Sequence, residues 1–275
     1  MTIEAEQDGN DRSAADLGTK AAVPPALIPA LREHLLAFAD DEHLMGQHHT
    51  EWIGVAPFLE EDLALSSIGQ DELSHAAALY ELVLELDGVE ATDGAIDELA
   101  FRRTPDQFRC SAFVEYPAPD WGETLVRHWI YDMVEELRWS LIAASTVPQL
   151  RELAVRASRE ERYHRRHADA LVETLLRSDD GRQRLVAALD PVLPLLPSLV
   201  CATDAERELV RGGVLSDTLA SRLPEIGRRI AVRFEVDQDL VPAETQAGRS
   251  GRSEYFGPIL ARMLEVFDLD PEATW

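Results

Sequence analysis

Two short segments, Glu72-Leu73-Ser74-His75 and Glu161-Arg162-Tyr163-His164, each place a carboxylate and an imidazole three residues apart. Three residues turn a helix by about 300°, so both side chains of a pair leave one face. Each pair also falls on an apolar stripe. The first stripe runs Leu65, Ile68, Glu72, His75, Leu79, Leu82, Leu86, and the second runs Leu150, Ala154, Ala157, Glu161, His164, Ala168, Leu171, Leu175. A carboxylate on the buried face of a helix is costly unless it is paired or coordinated. Two such pairs facing inward, joined by one carboxylate from each of two further helices, make the dinuclear carboxylate site of a four-helix bundle.

Hairpin geometry nominates the other two carboxylates. Residues equidistant from a helix–helix turn lie at the same height. Reflecting Glu72 about Pro57 gives Glu42, on a helix reading Leu31, Leu35, Phe38, Glu42, Met45, His49. Reflecting Glu161 about Val147 lands beside Asp132, on a helix reading Leu125, Trp129, Asp132, Glu136, Trp139, Ala143. The expected ligands are therefore Glu42, Glu72, His75, Asp132, Glu161 and His164, with Glu135 or Glu136 as alternatives to Asp132. Asp71 and Glu160, each one residue before a glutamate ligand, are the expected partners that hold the imidazoles. Asp41 is a further candidate for that role or a solvated neighbour. His49 shares the face of Glu42, and Tyr131, Trp129 and Trp139 lie near the third-helix ligand; a core role is the simpler expectation for these. The Arg159, Arg162, Arg165, Arg166 group and the Arg228, Arg229, Arg233 group read as surface.

The periodicity predicts helices over 26–52, 58–87, 121–146 and 148–177. Residues 88–120 hold Gly88, Gly94, Pro105, Pro117 and Pro119 and form a long crossover, with a short helix at 94–101. Peripheral helices are expected at 182–200, 204–211 and 216–238, broken by Pro191, Pro194, Pro197 and Pro224. Residues 241–257 read as a loop, and a short helix closes the chain at 258–268. No strand period persists, so the class is all-α. Residues 1–25 are polar, acidic and end at Pro24-Pro25, which predicts a disordered tail ahead of a single domain over 26–275.

Composition narrows the function. The net charge of −25 disfavours nucleic acid and anionic membrane surfaces as partners. No membrane span and no signal peptide are indicated. Two distant cysteines, Cys110 and Cys201, fit neither a disulfide framework nor a thiolate site, and they suit the cytoplasm. Four carboxylates and two imidazoles, without thiolate, suit iron, with manganese as the other choice. Two divalent ions would balance the four carboxylates. Such a pair can reduce dioxygen, and the substrate would be hydroxylated, epoxidised or desaturated.

One stretch resembles a known family. It opens on Glu51-Trp52-Ile53-Gly54, continues through Ala56-Pro57, Leu59-Glu60, Asp62, Ala64-Leu65 and Ile68-Gly69, and closes on Asp71. It is similar to the phenylacetyl-CoA epoxidase subunits of phenylacetate catabolism, above all to the structural subunit. Asp132, Arg162-Tyr163-His164, Gly257-Pro258, Leu260 and the final Trp275 extend the similarity over roughly residues 30 to 275. The resemblance implies a ferritin-like fold. It also implies a chain that lacks iron and pairs with a catalytic sister subunit, because the ligand positions of the structural subunit typically hold residues that do not coordinate. Here those positions hold competent ligands. Two readings follow. One is a non-haem diiron oxygenase acting on a small organic substrate, an acyl-CoA or a biosynthetic intermediate, with electrons from a reductase or ferredoxin. The other is a non-catalytic structural subunit of an epoxidase-type complex. The ligand set favours the first. Either is expected as a homodimer or a heteromer with a related subunit.

Overall fold

In the computed structural model, residues 22–242, 249 and 251–269 are described. The expected N-terminal tail and Trp275 lie wholly or largely outside them. The described chain is all-α and forms a ferritin-like bundle. Its four long helices are α1 (Ile28–Thr50), α2 (Leu59–Asp87), α5 (Trp121–Ala143) and α6 (Pro148–Leu176). Between α2 and α5 lie α3 (Asp93–Phe101) and the single turn α4 (Ala112–Glu115).

The ends follow local chemistry. Asp120 caps α5 by accepting from the Glu123 amide, and Pro148 opens α6, where a missing N–H costs nothing. Glu60, Glu61 and Asp62 crowd the first turn of α2, and Gly88 ends it in the left-handed region at φ 75°.

Pairwise contacts fix the topology. Phe38 packs on Trp139 with centroids 4.5 Å apart, and His49 on His128 at 4.8 Å, so α1 and α5 run antiparallel. Asp71 meets His164 and Glu160 meets His75, so α2 and α6 are antiparallel too. The two hairpins α1–α2 and α5–α6 are antiparallel within themselves. Hence α2 and α5 point the same way, and the segment 88–120 must travel the length of the bundle.

Buried acids tie that crossover down. Asp40 accepts from both guanidinium nitrogens of Arg103, from the Arg109 amide and from the Tyr80 hydroxyl. Asp41 is wholly buried and accepts from Arg138, Arg249 and the Ser111 amide at 3.1, 2.7 and 2.8 Å. The alternative of a solvated Asp41 is thereby corrected: it neutralises two buried guanidiniums.

The later helices are α7 (Asp179–Val192), α8 (Leu196–Val200), α9 (Asp204–Arg211), α10 (Leu223–Phe234) and α11 (Phe256–Leu264). The helix expected over 182–200 is split, because Pro194 and Pro197 withhold donors and a 3-10 turn intervenes at Leu193–Leu195. The one over 216–238 shortens to α10, with Pro224 inside its first turn. Asp179–Val200 is the one stretch among the described residues long and apolar enough to cross a membrane, but it is kinked, 56% buried, and its α7 packs on α5.

Two apolar clusters fill the interior. One centres on Phe38, Leu79, Trp139 and Ala154; the other on Met45, Trp129, Val134 and Ala168. The Glu/His pairs occupy the level between them.

Candidate metal centre

Glu42, Glu72, His75 and Glu161 converge from α1, α2 and α6. Each offers one donor atom, and these atoms all lie within 4.8 Å of one another. All four residues are buried. His75 Nδ1 is 3.2 Å from Glu42 Oε2 and 3.6 Å from Glu161 Oε1. His164 Nδ1 lies 3.6 Å from Glu161 Oε1 and 3.8 Å from Glu72 Oε1. Both imidazoles therefore turn Nδ1 towards the carboxylates.

The outer nitrogens are held across the bundle. His75 Nε2 is 2.7 Å from Glu160 on α6, and His164 Nε2 is 3.2 Å from Asp71 on α2. Each partner sits one residue before the glutamate of the opposite pair, so two equivalent links join α2 to α6. An Nε2–H donating outward leaves the Nδ1 lone pair facing inward, the orientation a metal ligand needs.

The third-helix acids separate cleanly. Asp132 and Glu135 are both wholly buried, whereas Glu136 is half exposed and binds Arg229 at 2.8 Å on the outside. The alternative Glu136 thus points away from the centre. Glu135 lies near Glu42 and 3.1 Å from Arg138. Asp132 lies near Glu161 and His164 and is 3.0 Å from His128 Nδ1. Tyr131 donates its hydroxyl to Glu42 Oε1 at 3.1 Å. Sequence reasoning passed over His128 and Arg138. The signal was present: His128 precedes Asp132 by one helical turn, and Arg138 follows Glu135 by three residues. His49 is buried against His128, whereas His167 pairs with Glu61 on α2 at 3.1 Å.

The electrostatics ask for a cation. Burial, reinforced by the neighbouring Glu42, pushes the Glu72 carboxyl well above its ordinary range. Burial raises Glu135 likewise, against the opposing pull of Arg138. Glu161 rises to about 7 through burial, opposed by His164. Glu42 alone is held low, at about 2: burial pushes it up, but hydrogen bonds with Glu135, His75 and Glu72 outweigh that. Burial lowers His75 and His164, yet their carboxylate partners lift them to about 9 and about 10. As bare carboxylates, Glu72, Asp132, Glu135 and Glu161 have both oxygens buried without a hydrogen bond, since Arg138 and His128 approach Glu135 and Asp132 closely but out of line, and His164 Nδ1 makes none either. Orphaned acceptors at this density are uncommon in folded proteins. Hard divalent ions would satisfy them and displace the protons, so the donor set fits the metal.

A helical bundle with an inward ring of carboxylates and two outward-anchored imidazoles defines the class: a ferritin-like protein with a buried carboxylate–histidine centre. A family model described as phenylacetic acid catabolic protein matches residues 17–275. The chain is 30% identical over 251 residues to one of the subunits of the 1,2-phenylacetyl-CoA epoxidase of Escherichia coli (strain K12), covering 89% of this chain and 99% of that one. The chain belongs to the phenylacetic acid catabolic protein family.

Proposed function

We propose that this chain is a non-haem diiron oxygenase that hydroxylates, epoxidises or desaturates a small organic substrate. The observation that supports it is the convergence of Glu42, Glu72, His75 and Glu161 on one buried point, with both Nδ1 atoms turned inward. Glu42, Glu72, His75, Asp132, Glu161 and His164 would hold two iron ions, or manganese, with Glu135 as the alternative to Asp132. The bound metals would supply dioxygen activation, with electrons from a reductase or ferredoxin. The residues of the chain supply the rest. Asp71 and Glu160 fix the imidazoles, Tyr131 orients Glu42, and Arg138 offsets the charge of Glu135. Cys110 and Cys201 are free thiols, in keeping with work in the cytoplasm.

A second reading rests on the relative: that protein is by its name one subunit of an epoxidase, and this chain would be a scaffold that has kept the ligands without their chemistry. Metal analysis separates the two. The chain expressed with ample iron is expected to carry about two iron ions, and Glu72→Ala or His75→Ala to lose at least one while the far-ultraviolet dichroism stays helical. Iron-free wild-type protein, or full iron in both variants, would overturn the oxygenase reading.

A further inference from the structure

We infer that Asp41 and Arg249, which lie outside the donor set, are positioning residues: through Arg138 they govern whether Glu135 serves the centre as a ligand. The inference rests on the centre binding a divalent ion, not on its oxygen chemistry. The four groups form an alternating chain of buried charge. Arg249 Nη1 donates to Asp41 Oδ2 at 2.7 Å, and Arg138 Nη2 donates to the same oxygen at 3.1 Å. The other nitrogen of the Arg138 fork, Nη1, comes to 3.1 Å from Glu135 Oε1, and Glu135 lies near Glu42. The two contacts of Arg138 differ in kind. The one to Asp41 is a hydrogen bond. The one to Glu135 is close but out of line, so Arg138 Nη1 and both oxygens of Glu135 are buried without a hydrogen bond. Glu135 is thus held beside the centre without being satisfied, open to a guanidinium on one side and to a metal ion on the other.

The balance is set at Asp41. Backbone carbonyls fix Arg249 in place: Nη1 also donates to Ala37 at 3.3 Å and Arg109 at 3.2 Å, and Nη2 to Leu199 at 2.9 Å. With Arg249 seated, the charge of Asp41 is shared between two guanidiniums, and Arg138 keeps positive charge to offer Glu135. Without the Arg249 charge, Arg138 is the remaining guanidinium on Asp41 and is drawn off Glu135, which is left free to coordinate. Without the Asp41 charge the reverse holds: Arg138 turns to Glu135 and withholds it from the metal. Glu206 on α9 lies near both guanidiniums, but it accepts from the Leu219 amide at 2.8 Å and forms no ion pair with either. Charges in a buried cluster are little screened. Groups one step behind a ligand typically move metal affinity by about 10–100-fold.

The test titrates Co²⁺ into the metal-free full-length chain and follows its visible absorption. Arg249→Gln is expected to tighten Co²⁺ binding about tenfold. Asp41→Asn, which keeps an acceptor for the Ser111 amide, is expected to weaken it about tenfold. A purely structural role does not give opposite signs, because loosening the fold would weaken metal binding in both variants. In a Glu135→Gln background both shifts should shrink to about twofold or less, since the group they act through no longer carries charge. Shifts of one sign, no shift in either variant, or shifts that persist in Glu135→Gln would overturn the inference while leaving the metal centre standing. Should Arg249→Gln fail to fold, Asp41→Asn and its double variant with Glu135→Gln still decide the matter. Wild-type chain that binds no Co²⁺ would refute the metal centre, and this inference with it.

Discussion

At the scale of single residues, the third-helix ligand is the sharpest question the centre poses. Asp132 and Glu135 both point inward, one turn apart, but they keep different company. Glu135 already has Arg138 as a counter-ion at 3.1 Å. Asp132 lies near Glu161 and His164, with the His128 imidazole 3.0 Å away and no guanidinium beside it. A carboxylate without a permanent cation gains most from a metal. Asp132→Ala is therefore expected to lose iron, Glu135→Ala to lose less, and Glu136→Ala to keep full occupancy, since its side chain binds Arg229 outside the bundle. Iron measured per chain in the three variants checks the order; loss in Glu136→Ala alone would show the placement of α5 to be wrong by part of a turn.

Residues away from the centre set the response to acid. Burial holds His43 and His48 down to about 4, and in His48 the nearby Arg127 adds to it. In the unfolded chain both return to about 6.5. Their folded values are depressed, so between about pH 6.5 and 4 the unfolded state binds more protons, and stability falls as pH drops through that window. At pH 5 each should cost on the order of 2 kcal/mol relative to neutral pH. Denaturant melts at pH 7 and pH 5 read the difference, and His48→Gln, which can still reach the Val114 carbonyl, should shrink it.

At the scale of elements, the crossover shows what was legible in the sequence and what was not. The four long helices were readable because each carries a stripe of about 3.6-residue period that a packed core must satisfy. Glu72, His75, Glu161 and His164 stood out because they interrupt such stripes, and Glu42 because it mirrors Glu72 across the turn at Pro57. The clamp on the crossover did not stand out. Asp40 and Asp41 are neighbours on α1; Asp41 read either as a partner for an imidazole or as a solvated acid, yet the partners of the two, Arg103, Arg109, Arg138 and Arg249, come from 63 to 208 residues away. No local pattern announces an ion pair of that separation. The fourth ligand was ambiguous for a related reason: α5 is buried on nearly every side, so its stripe does not select one face. Asp41→Ala would strand Arg249 and leave Arg138 with Glu135 alone. Removing one partner of a buried charge cluster typically costs about 3–5 kcal/mol. Chemical denaturation of Asp41→Ala should show a loss of that size with native dichroism retained below the transition, and a loss under about 1 kcal/mol would mean that water reaches the clamp.

At the scale of the whole molecule, apolar surface and net charge pull in opposite directions. Ile53, Val55, Phe58, Leu59 and Leu63 lie exposed along the α1–α2 turn and the start of α2; Phe58 and Leu63 are 60% and 65% accessible. Large apolar side chains exposed this close together along a chain suit a site of association. Two copies meeting there would each bring a charge of −25, a repulsion screened only beyond a Debye length of about 10 Å at 0.1 M salt. Ionic strength therefore distinguishes the two assemblies. A homodimer should tighten as sodium chloride rises from 0.05 to 0.5 M, because screening relieves like charge while apolar burial is untouched. A heteromer with a related subunit that meets this one through a basic face should loosen over the same range, because its attraction is screened. Sedimentation velocity at micromolar concentration, alone and with that subunit, reads the direction. Leu63→Asp should abolish either assembly without lowering the melting temperature appreciably, since the side chain is largely in water already. Wild-type chain that stays monomeric at both salt concentrations, with and without the partner, would show the patch to be bare surface.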